Sequence, residues 1–125
     1  MIERMQGLHL TADLRGCACA LPVMCDPQAL RTLCLQSVAA AGLQPVGELF
    51  HRFPPPGGVT GVVLLAESHL AVHPWPELGA VTLDVYVCNL QGENNGRAQT
   101  LLALLEVAFK PGGVEHHRVL RGVQT

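Results

Sequence analysis

Apolar and polar residues alternate strictly in the second half of the chain. In residues 80–88 the apolar positions are Val81, Leu83, Val85 and Val87, and the positions between them are Thr82, Asp84, Tyr86 and Cys88. Successive side chains of a strand point to opposite faces of a sheet, so this segment predicts a strand with one apolar and one polar face. Residues 69–73 alternate in the same way. The apolar face should pack against helices, and the polar face is a candidate for a reaction site, an interface or both.

Two other segments have the spacing of amphipathic helices. Asp26 can cap the first helix, with Pro27 at its first position, and Gly42 favours its end. The second helix is predicted over residues 94–109, and Gly112 and Gly113 should end it. Its apolar side is predicted to consist of Leu101, Leu104, Leu105 and Ala108.

The remaining apolar segments predict strands, and the order of elements predicts the fold class. Those strands are expected over residues 8–14, 46–53, 59–66 and 114–120, with loops over 16–27 and 54–58. The order is then strand, helix, four strands, helix, strand. It predicts an α+β fold, a two-layer sandwich of a mostly antiparallel sheet with two helices packed on one face. The length fits one domain over residues 1–125.

Charge and hydropathy exclude several classes of function. The net charge is −2 and the 8 basic residues are scattered, so the chain has no electrostatic footprint for nucleic acid or an anionic membrane. The longest apolar run, residues 59–66, is too short to span a bilayer. Residues 1–7 lack the apolar stretch of a signal peptide, so we expect a cytoplasmic protein.

The five cysteines predict neither a disulfide framework nor a metal centre. An odd number of cysteines in a chain without a leader argues against disulfides. Cys17 and Cys19 form a C-x-C pair, but a zinc site needs about four ligands. His69 and His73 would lie about 13 Å apart on an extended strand, too far to share one metal ion. We therefore expect no metal.

The densest cluster of reactive side chains lies in residues 67–77, followed by Asp84 and Cys88. It holds a serine, two imidazoles, two carboxylates and a thiol. Three chemistries could use these groups: hydrolysis with a histidine base, metal binding, and attack by Ser68 on its own backbone. Ser68 does not lie in the G-x-S-x-G sequence of a nucleophile elbow, which disfavours the first.

Several motifs in this region resemble one family. They are Phe53-Pro54, Gly58–Val62, Ala66–Leu70, His73-Pro74-Trp75-Pro76-Glu77 and Leu83–Cys88, with Gly7–Leu10 near the start. Together they resemble the prokaryotic S-adenosylmethionine decarboxylases over most of the chain. The E-S-H sequence followed by H-x-W-P-E and D-x-x-x-C is the most specific part of the resemblance.

The resemblance implies that the chain processes itself. The Ser68 hydroxyl would attack the carbonyl of Glu67 and divide the chain into a β chain, residues 1–67, and an α chain, residues 68–125. Ser68 would become a covalent pyruvoyl cofactor, which forms a Schiff base with the substrate. His73 matches the base of the processing step, and Cys88 matches the residue that returns a proton to the substrate.

The resemblance also implies the substrate, the pathway and the assembly. Phe53 would stack on adenine and Glu77 would bind the ribose hydroxyls. The product, decarboxylated S-adenosylmethionine, would serve spermidine synthesis. Family members assemble as homodimers of cleaved protomers, with their active sites near the subunit interface.

Departures from the family pattern leave alternatives open. Thr60 stands where many members have serine, and Pro74 replaces a usual threonine. Both positions lie near the expected substrate pocket. One alternative is a pyruvoyl-dependent decarboxylase of an amino acid such as arginine or ornithine. Another is an uncleaved, non-catalytic homologue that regulates a partner.

Overall fold

A computed structural model describes residues 4–90 and 92–124, and within them six strands form one sheet. The strands are β1 (Arg4–Arg15), β2 (Pro45–Arg52), β3 (Val59–Leu65), β4 (Ser68–Trp75), β5 (Ala80–Cys88) and β6 (Gly113–Gln124). The helices are α1 (Pro22–Cys25), α2 (Pro27–Ala40) and α3 (Asn95–Phe109), and a single 3₁₀ turn covers Pro76–Leu78. The spatial order is β2-β3-β4-β5-β1-β6, and every neighbouring pair is antiparallel. The predicted α+β sandwich is confirmed.

The apolar face of the sheet forms the core together with the helices. Leu70 lies opposite Val85 and Val72 opposite Leu83, so the alternating residues of β4 and β5 meet on one face. All four are fully buried. Beside them lie the buried residues of the helices, including Met24, Leu30, Cys34, Val38, Leu101, Leu105 and Phe109. The opposite face, which we call the open face, carries no helix in the part of the chain that the structure describes.

The first long helix begins and ends as its sequence predicts. The Asp26 carboxylate accepts a hydrogen bond from the Gln28 N–H at 3.0 Å, which satisfies one free donor of the first turn. Gly42 follows the helix with φ 78°, a left-handed conformation that glycine adopts without steric cost. The short helix α1 was not predicted, because four residues within the segment 16–27 are too few for a periodic pattern.

Two predictions about α3 were wrong. The helix ends at Phe109 as predicted, but Lys110 rather than a glycine takes the left-handed capping position, with φ 47°. Leu104 is 39% exposed, whereas Leu102 is buried. The buried stripe is set by which residues reach the sheet, and it consists of Ala98, Leu101, Leu102, Leu105 and Phe109.

Candidate active site

The predicted cleavage site lies in the tight turn of the β3–β4 hairpin. Leu65 pairs with Ser68, so Ala66 and Glu67 alone form the turn. Glu67 has φ 58°, a left-handed conformation that costs a residue with a side chain roughly 1–2 kcal/mol. Backbone strain of this kind concentrates at functional sites. The Glu67–Ser68 peptide bond therefore follows directly on a strained residue.

Ser68 and Cys88 are neighbours across β4 and β5. The backbone N–H of Cys88 donates a hydrogen bond to Ser68 Oγ at 3.2 Å. A donor to an oxygen favours its charged form, so this contact assists ionisation of the hydroxyl. The antiparallel register, with His69 opposite Tyr86, brings the start of β4 to the end of β5. Two residues that are 20 positions apart in the sequence thus share one site.

A pocket of about 360 Å³ borders this turn. It is lined by Ala66, Glu67, Cys88, Gly92, Asn94 and Arg97. Cys88 is 7% exposed. The Asn94 side-chain amide donates to the Cys88 carbonyl at 2.8 Å and thereby fixes the end of β5 against the start of α3. We call this the cleavage-site pocket.

A second pocket, also of about 360 Å³, lies at the other end of β4. Its lining includes Phe53, Thr60, His73, Trp75 and Glu77. We call it the aromatic pocket. Thr60 Oγ1 and His73 Nδ1 lie 3.3 Å apart, within hydrogen-bonding distance, so the hydroxyl fixes the orientation of the imidazole.

Gly58 allows the loop 54–58 to close one side of the aromatic pocket. A Cβ atom at this position would lie 2.4 Å from the Pro74 carbonyl oxygen. Only glycine therefore lets the loop approach the end of β4 this closely. Phe53, at the start of the same loop, is held edge-to-face against His51, with ring centroids 4.7 Å apart.

The sequence-predicted site residues thus fall into two groups within one chain. Glu67, Ser68 and Cys88 lie at one end of β4, and Phe53, His73 and Glu77 lie at the other. Ser68 and His73 are five residues apart on a strand, a distance of about 16 Å. His73 therefore cannot reach Ser68 of its own chain.

The open face carries a cluster of His69, Asp84 and Tyr86, which the alternation of β4 and β5 predicted to share this face, together with His9, which it did not predict. The rings of His69 and Tyr86 stack with centroids 5.6 Å apart. His9 Nε2 lies 4.0 Å from Asp84 Oδ1 and, among the described residues, has no hydrogen-bond partner despite its burial. Burial lowers the pKa of His69, His9 lowers it further, and Asp84 partly opposes both. Only the pairing of β1 with β5 brings His9 into this cluster, a contact that the Gly7–Leu10 motif does not by itself predict.

The cysteines are free thiols across the ranges that the structure describes. Burial raises the pKa of Cys34 to about 12, so its thiol stays protonated and serves as an apolar core group. Within residues 4–90 and 92–124, no cluster of three histidine, cysteine or acidic side chains could hold a metal ion. The same residues contain no helix with both the length and the apolarity needed to cross a membrane.

Comparison with known families gives one match over most of the chain. The family model described as S-adenosylmethionine decarboxylase matches residues 8–122. Several curated relatives carry the name S-adenosylmethionine decarboxylase proenzyme. The relative from Archaeoglobus fulgidus is 34% identical over 116 residues, which are 93% of this chain and 97% of that protein. The relative from Moorella thermoacetica is 35% identical over 120 residues, 96% of this chain and 90% of its own.

A solved structure has the same fold. The crystal structure of the adenosylmethionine decarboxylase from Aquifex aeolicus matches with a TM-score of 0.83 and 32% sequence identity. The match covers 94% of this chain and 91% of that one. Similarity of sequence and similarity of structure therefore both extend over most of the chain.

Proposed function

This chain belongs to the S-adenosylmethionine decarboxylase family, and we propose that it cuts itself between Glu67 and Ser68 to become an active, pyruvoyl-dependent decarboxylase of S-adenosylmethionine. The name proenzyme, which its relatives carry, implies a precursor that matures by processing. The observation that carries the proposal is the contact of Ser68 Oγ with the Cys88 N–H beside a strained Glu67.

Self-cleavage follows from the chemistry of these two residues. Ser68 Oγ attacks the Glu67 carbonyl carbon, the peptide C–N bond breaks, and an ester joins the two residues. Removal of the Ser68 α-proton then breaks the Cβ–O bond, which releases Glu67 as a carboxylate and leaves dehydroalanine at position 68. Water replaces the nitrogen, and ammonia leaves. The Cys88 N–H assists the first step because it holds Oγ in position beside the Glu67 carbonyl.

The residues around position 68 fit a pyruvoyl group formed there. Ser68 is half-buried, contacts Cys88 and adjoins the cleavage-site pocket. A pyruvoyl group supplies an electron-withdrawing ketone that accepts the electrons left when CO₂ departs. Position 68 begins β4, and the next residue, His69, pairs with Tyr86 of β5, so the sheet keeps the backbone at this position in one orientation after Oγ has left with Glu67.

Cys88 is suited to deliver the proton that completes decarboxylation. It lines the cleavage-site pocket directly beside the scissile turn. A thiol is one of the side-chain groups that act as general acids in enzymes. Its backbone N–H contacts Ser68 Oγ, whereas the proton would come from the side-chain thiol. The two roles therefore use different atoms of one residue.

The aromatic pocket supports S-adenosylmethionine as the substrate. Phe53, which is 45% exposed, and Trp75 offer ring faces for adenine, and Glu77 offers a carboxylate for the ribose hydroxyls. A free amino acid such as arginine or ornithine would leave these aromatic faces uncovered. The proposed product, decarboxylated S-adenosylmethionine, is the aminopropyl donor for spermidine.

A second copy of the chain is part of this proposal. Within one chain, Ser68 lies about the length of β4 away from the group formed by His73, Phe53 and Glu77. The reaction needs all four residues at one centre. In a two-fold dimer the cleavage-site pocket of one chain can meet the aromatic pocket of its partner. The open face, which no helix covers among the described residues, is the surface through which we propose that the copies pair. We propose a cytoplasmic location from the sequence alone.

Two measurements test the proposed function. Denaturing mass spectrometry should find chains of residues 1–67 and 68–125, the second blocked at its first residue, while Ser68→Ala stays intact. CO₂ release should then occur with S-adenosylmethionine and not with arginine or ornithine. A single intact mass after long incubation would contradict the proposal, and turnover of a free amino acid alone would contradict the substrate.

A further inference from the structure

We propose that Arg97 binds the carboxylate that is released from Glu67 and thereby accelerates the elimination step of self-cleavage. The inference rests on the proposed function, because it concerns one step of that reaction. It assigns a role to a residue of α3 that no sequence motif identifies.

Arg97 is held at the edge of the cleavage-site pocket. Its guanidinium donates to Asn94 Oδ1 at 2.9 Å and to the Glu93 carbonyl at 3.3 Å. On its other side, a Cβ atom at Gly42 would lie 3.3 Å from Arg97 Nε, so the glycine gives the guanidinium room. The same pocket includes Glu67 and Cys88. The arginine thus borders the turn that is cut.

Among the residues that the structure describes, no acidic side chain neutralises the charge of Arg97. Arginine is effectively always protonated in proteins. Among residues 4–90 and 92–124, no carboxylate lies within 4.0 Å of the Arg97 guanidinium; the ion pairs there involve His9, Arg31 and His116. An arginine oriented by neutral partners, with no acidic partner, offers a site for an incoming carboxylate.

Self-cleavage creates such a carboxylate at this turn. The ester between Glu67 and Ser68 is neutral. When a base removes the Ser68 α-proton, the Cα=Cβ bond forms, the Cβ–O bond breaks, and the electron pair moves onto the α-carboxylate of Glu67. Negative charge therefore develops during elimination and not before it. A guanidinium that meets this charge stabilises the transition state more than the ground state, which is the requirement for acceleration. Its planar fork also matches both carboxylate oxygens.

The test separates ester formation from elimination. Wild type, Arg97→Gln and Arg97→Lys are purified early, and cleavage is followed by mass with and without hydroxylamine. Hydroxylamine cuts the ester and leaves a hydroxamate on Glu67. We expect Arg97→Gln to accumulate hydroxylamine-sensitive ester and to release the two chains roughly 100- to 1,000-fold more slowly, the range seen when one charge-stabilising donor is removed. Arg97→Lys should retain part of the rate. Added methylguanidine should partly restore Arg97→Ala.

Matched controls separate this role from structure and from other carboxylates. Arg118→Gln removes an exposed arginine of β6 and should cleave at the wild-type rate. Glu67→Gln removes only the side-chain carboxylate, and the effect of Arg97→Gln should persist in that background. Loss of the effect there would overturn the inference, because the side chain would then be the partner.

The remaining outcomes are equally decisive. If folded Arg97→Gln cleaves at the wild-type rate and only raises KM, Arg97 binds the substrate carboxylate and the inference is wrong. Circular dichroism shows whether Arg97→Gln folds. If it does not fold, the inference is overturned when Arg97→Lys cleaves at the wild-type rate without accumulating ester and methylguanidine does not speed the cleavage of Arg97→Ala. Failure of the wild-type chain to cleave would contradict the proposed function itself.

Discussion

The backbone N–H of Cys88 donates to Ser68 Oγ at 3.2 Å, so the last residue of β5 contacts the first residue of β4. The donor belongs to the main chain and the proposed proton-delivering thiol belongs to the side chain. One residue can therefore assist maturation and turnover through different atoms. Substitution of the side chain separates the two roles.

Cys88→Ala should still cut itself but should decarboxylate poorly. The substitution keeps the N–H that contacts Ser68 and removes only the thiol. General acid catalysis typically contributes about 10²–10⁴-fold, so CO₂ release per cleaved chain should fall by that order. Cleavage is measured by gel and turnover by CO₂ release. Cys25→Ala, a half-buried thiol in α1, is the control. Undiminished turnover by cleaved Cys88→Ala would show that another group supplies the proton.

Relief of the strain at Glu67 should slow self-cleavage. Glycine adopts φ 58° at no steric cost, so Glu67→Gly stabilises the uncut turn relative to the transition state. The strain is worth roughly 1–2 kcal/mol and a rate changes tenfold per about 1.4 kcal/mol, so we expect a several-fold to about tenfold decrease. Glu67→Gln keeps the strain and is the control. Equal cleavage half-times for the two variants would show that the strain does not contribute.

Sequence patterning predicted the sheet well, because strict alternation has only one structural interpretation. The strand at residues 80–88 has the same bounds in the structure, and its four predicted apolar residues are buried, although Cys88 on the predicted polar face is buried as well. The buried stripe of α3 was partly wrong at Leu104 and Leu102, since apolar residues surround the helix and only packing decides which face is covered.

The arrangement of the site could not be predicted, because it depends on strand order and on the reach of single side chains. The motif residues Ser68 and His73 lie close in the sequence, but extension of β4 separates them. Arg97 lies nine residues beyond Cys88 in a helix with no recognisable motif. Its position beside Glu67 follows only from the packing of α3 against the end of β5.

Phe53→Ala should weaken substrate binding and leave self-cleavage intact. The ring lines the aromatic pocket, at the end of the sheet away from Glu67. Loss of one aromatic face and its buried area should raise KM for S-adenosylmethionine roughly tenfold, with kcat changed by less than about twofold. Leu49→Ala, which removes a 69% exposed side chain of β2, should change neither constant. An unchanged KM for Phe53→Ala would place the adenine elsewhere.

The stability of the uncut chain should fall in mild acid through His69. Its pKa is lowered in the folded state, chiefly by burial, so the unfolded chain binds the proton more readily. The stability associated with the neutral His69 imidazole is therefore fully present above about pH 6.5, the pKa of histidine in the unfolded chain. This stability is lost as the pH falls below that value. Urea unfolding of Ser68→Ala from pH 8 to pH 5 should show this loss. Ser68→Ala with His69→Gln should show a flatter profile, and parallel profiles would contradict the assignment.

Two inactive variants should restore cleavage when they share a dimer. Ser68→Ala lacks the nucleophile and His73→Ala lacks the proposed base, so each should stay uncut alone. In a mixed dimer, Ser68 of the His73→Ala chain faces the intact His73 of its partner. One complete centre then forms, because the proposed site takes its two halves from different chains.

The pattern of cleavage in the mixed dimer distinguishes a shared site from a rearranged one. Co-expression with tags of different mass should yield fragments of the His73→Ala chain only, since the other chain has no serine to convert.

Thr60 contacts His73 at 3.3 Å, so Thr60→Val should complement Ser68→Ala in the same way if it cleaves slowly alone. Co-expressed Ser68→Ala and Cys25→Ala chains are the reference, because their mixed dimers give the cleavage rate with one intact nucleophile. Normal cleavage of His73→Ala without a partner would show that the imidazole is not the base. Its failure to cleave in the mixed dimer would show that Ser68 and His73 must meet within one chain, which requires β4 to break between them.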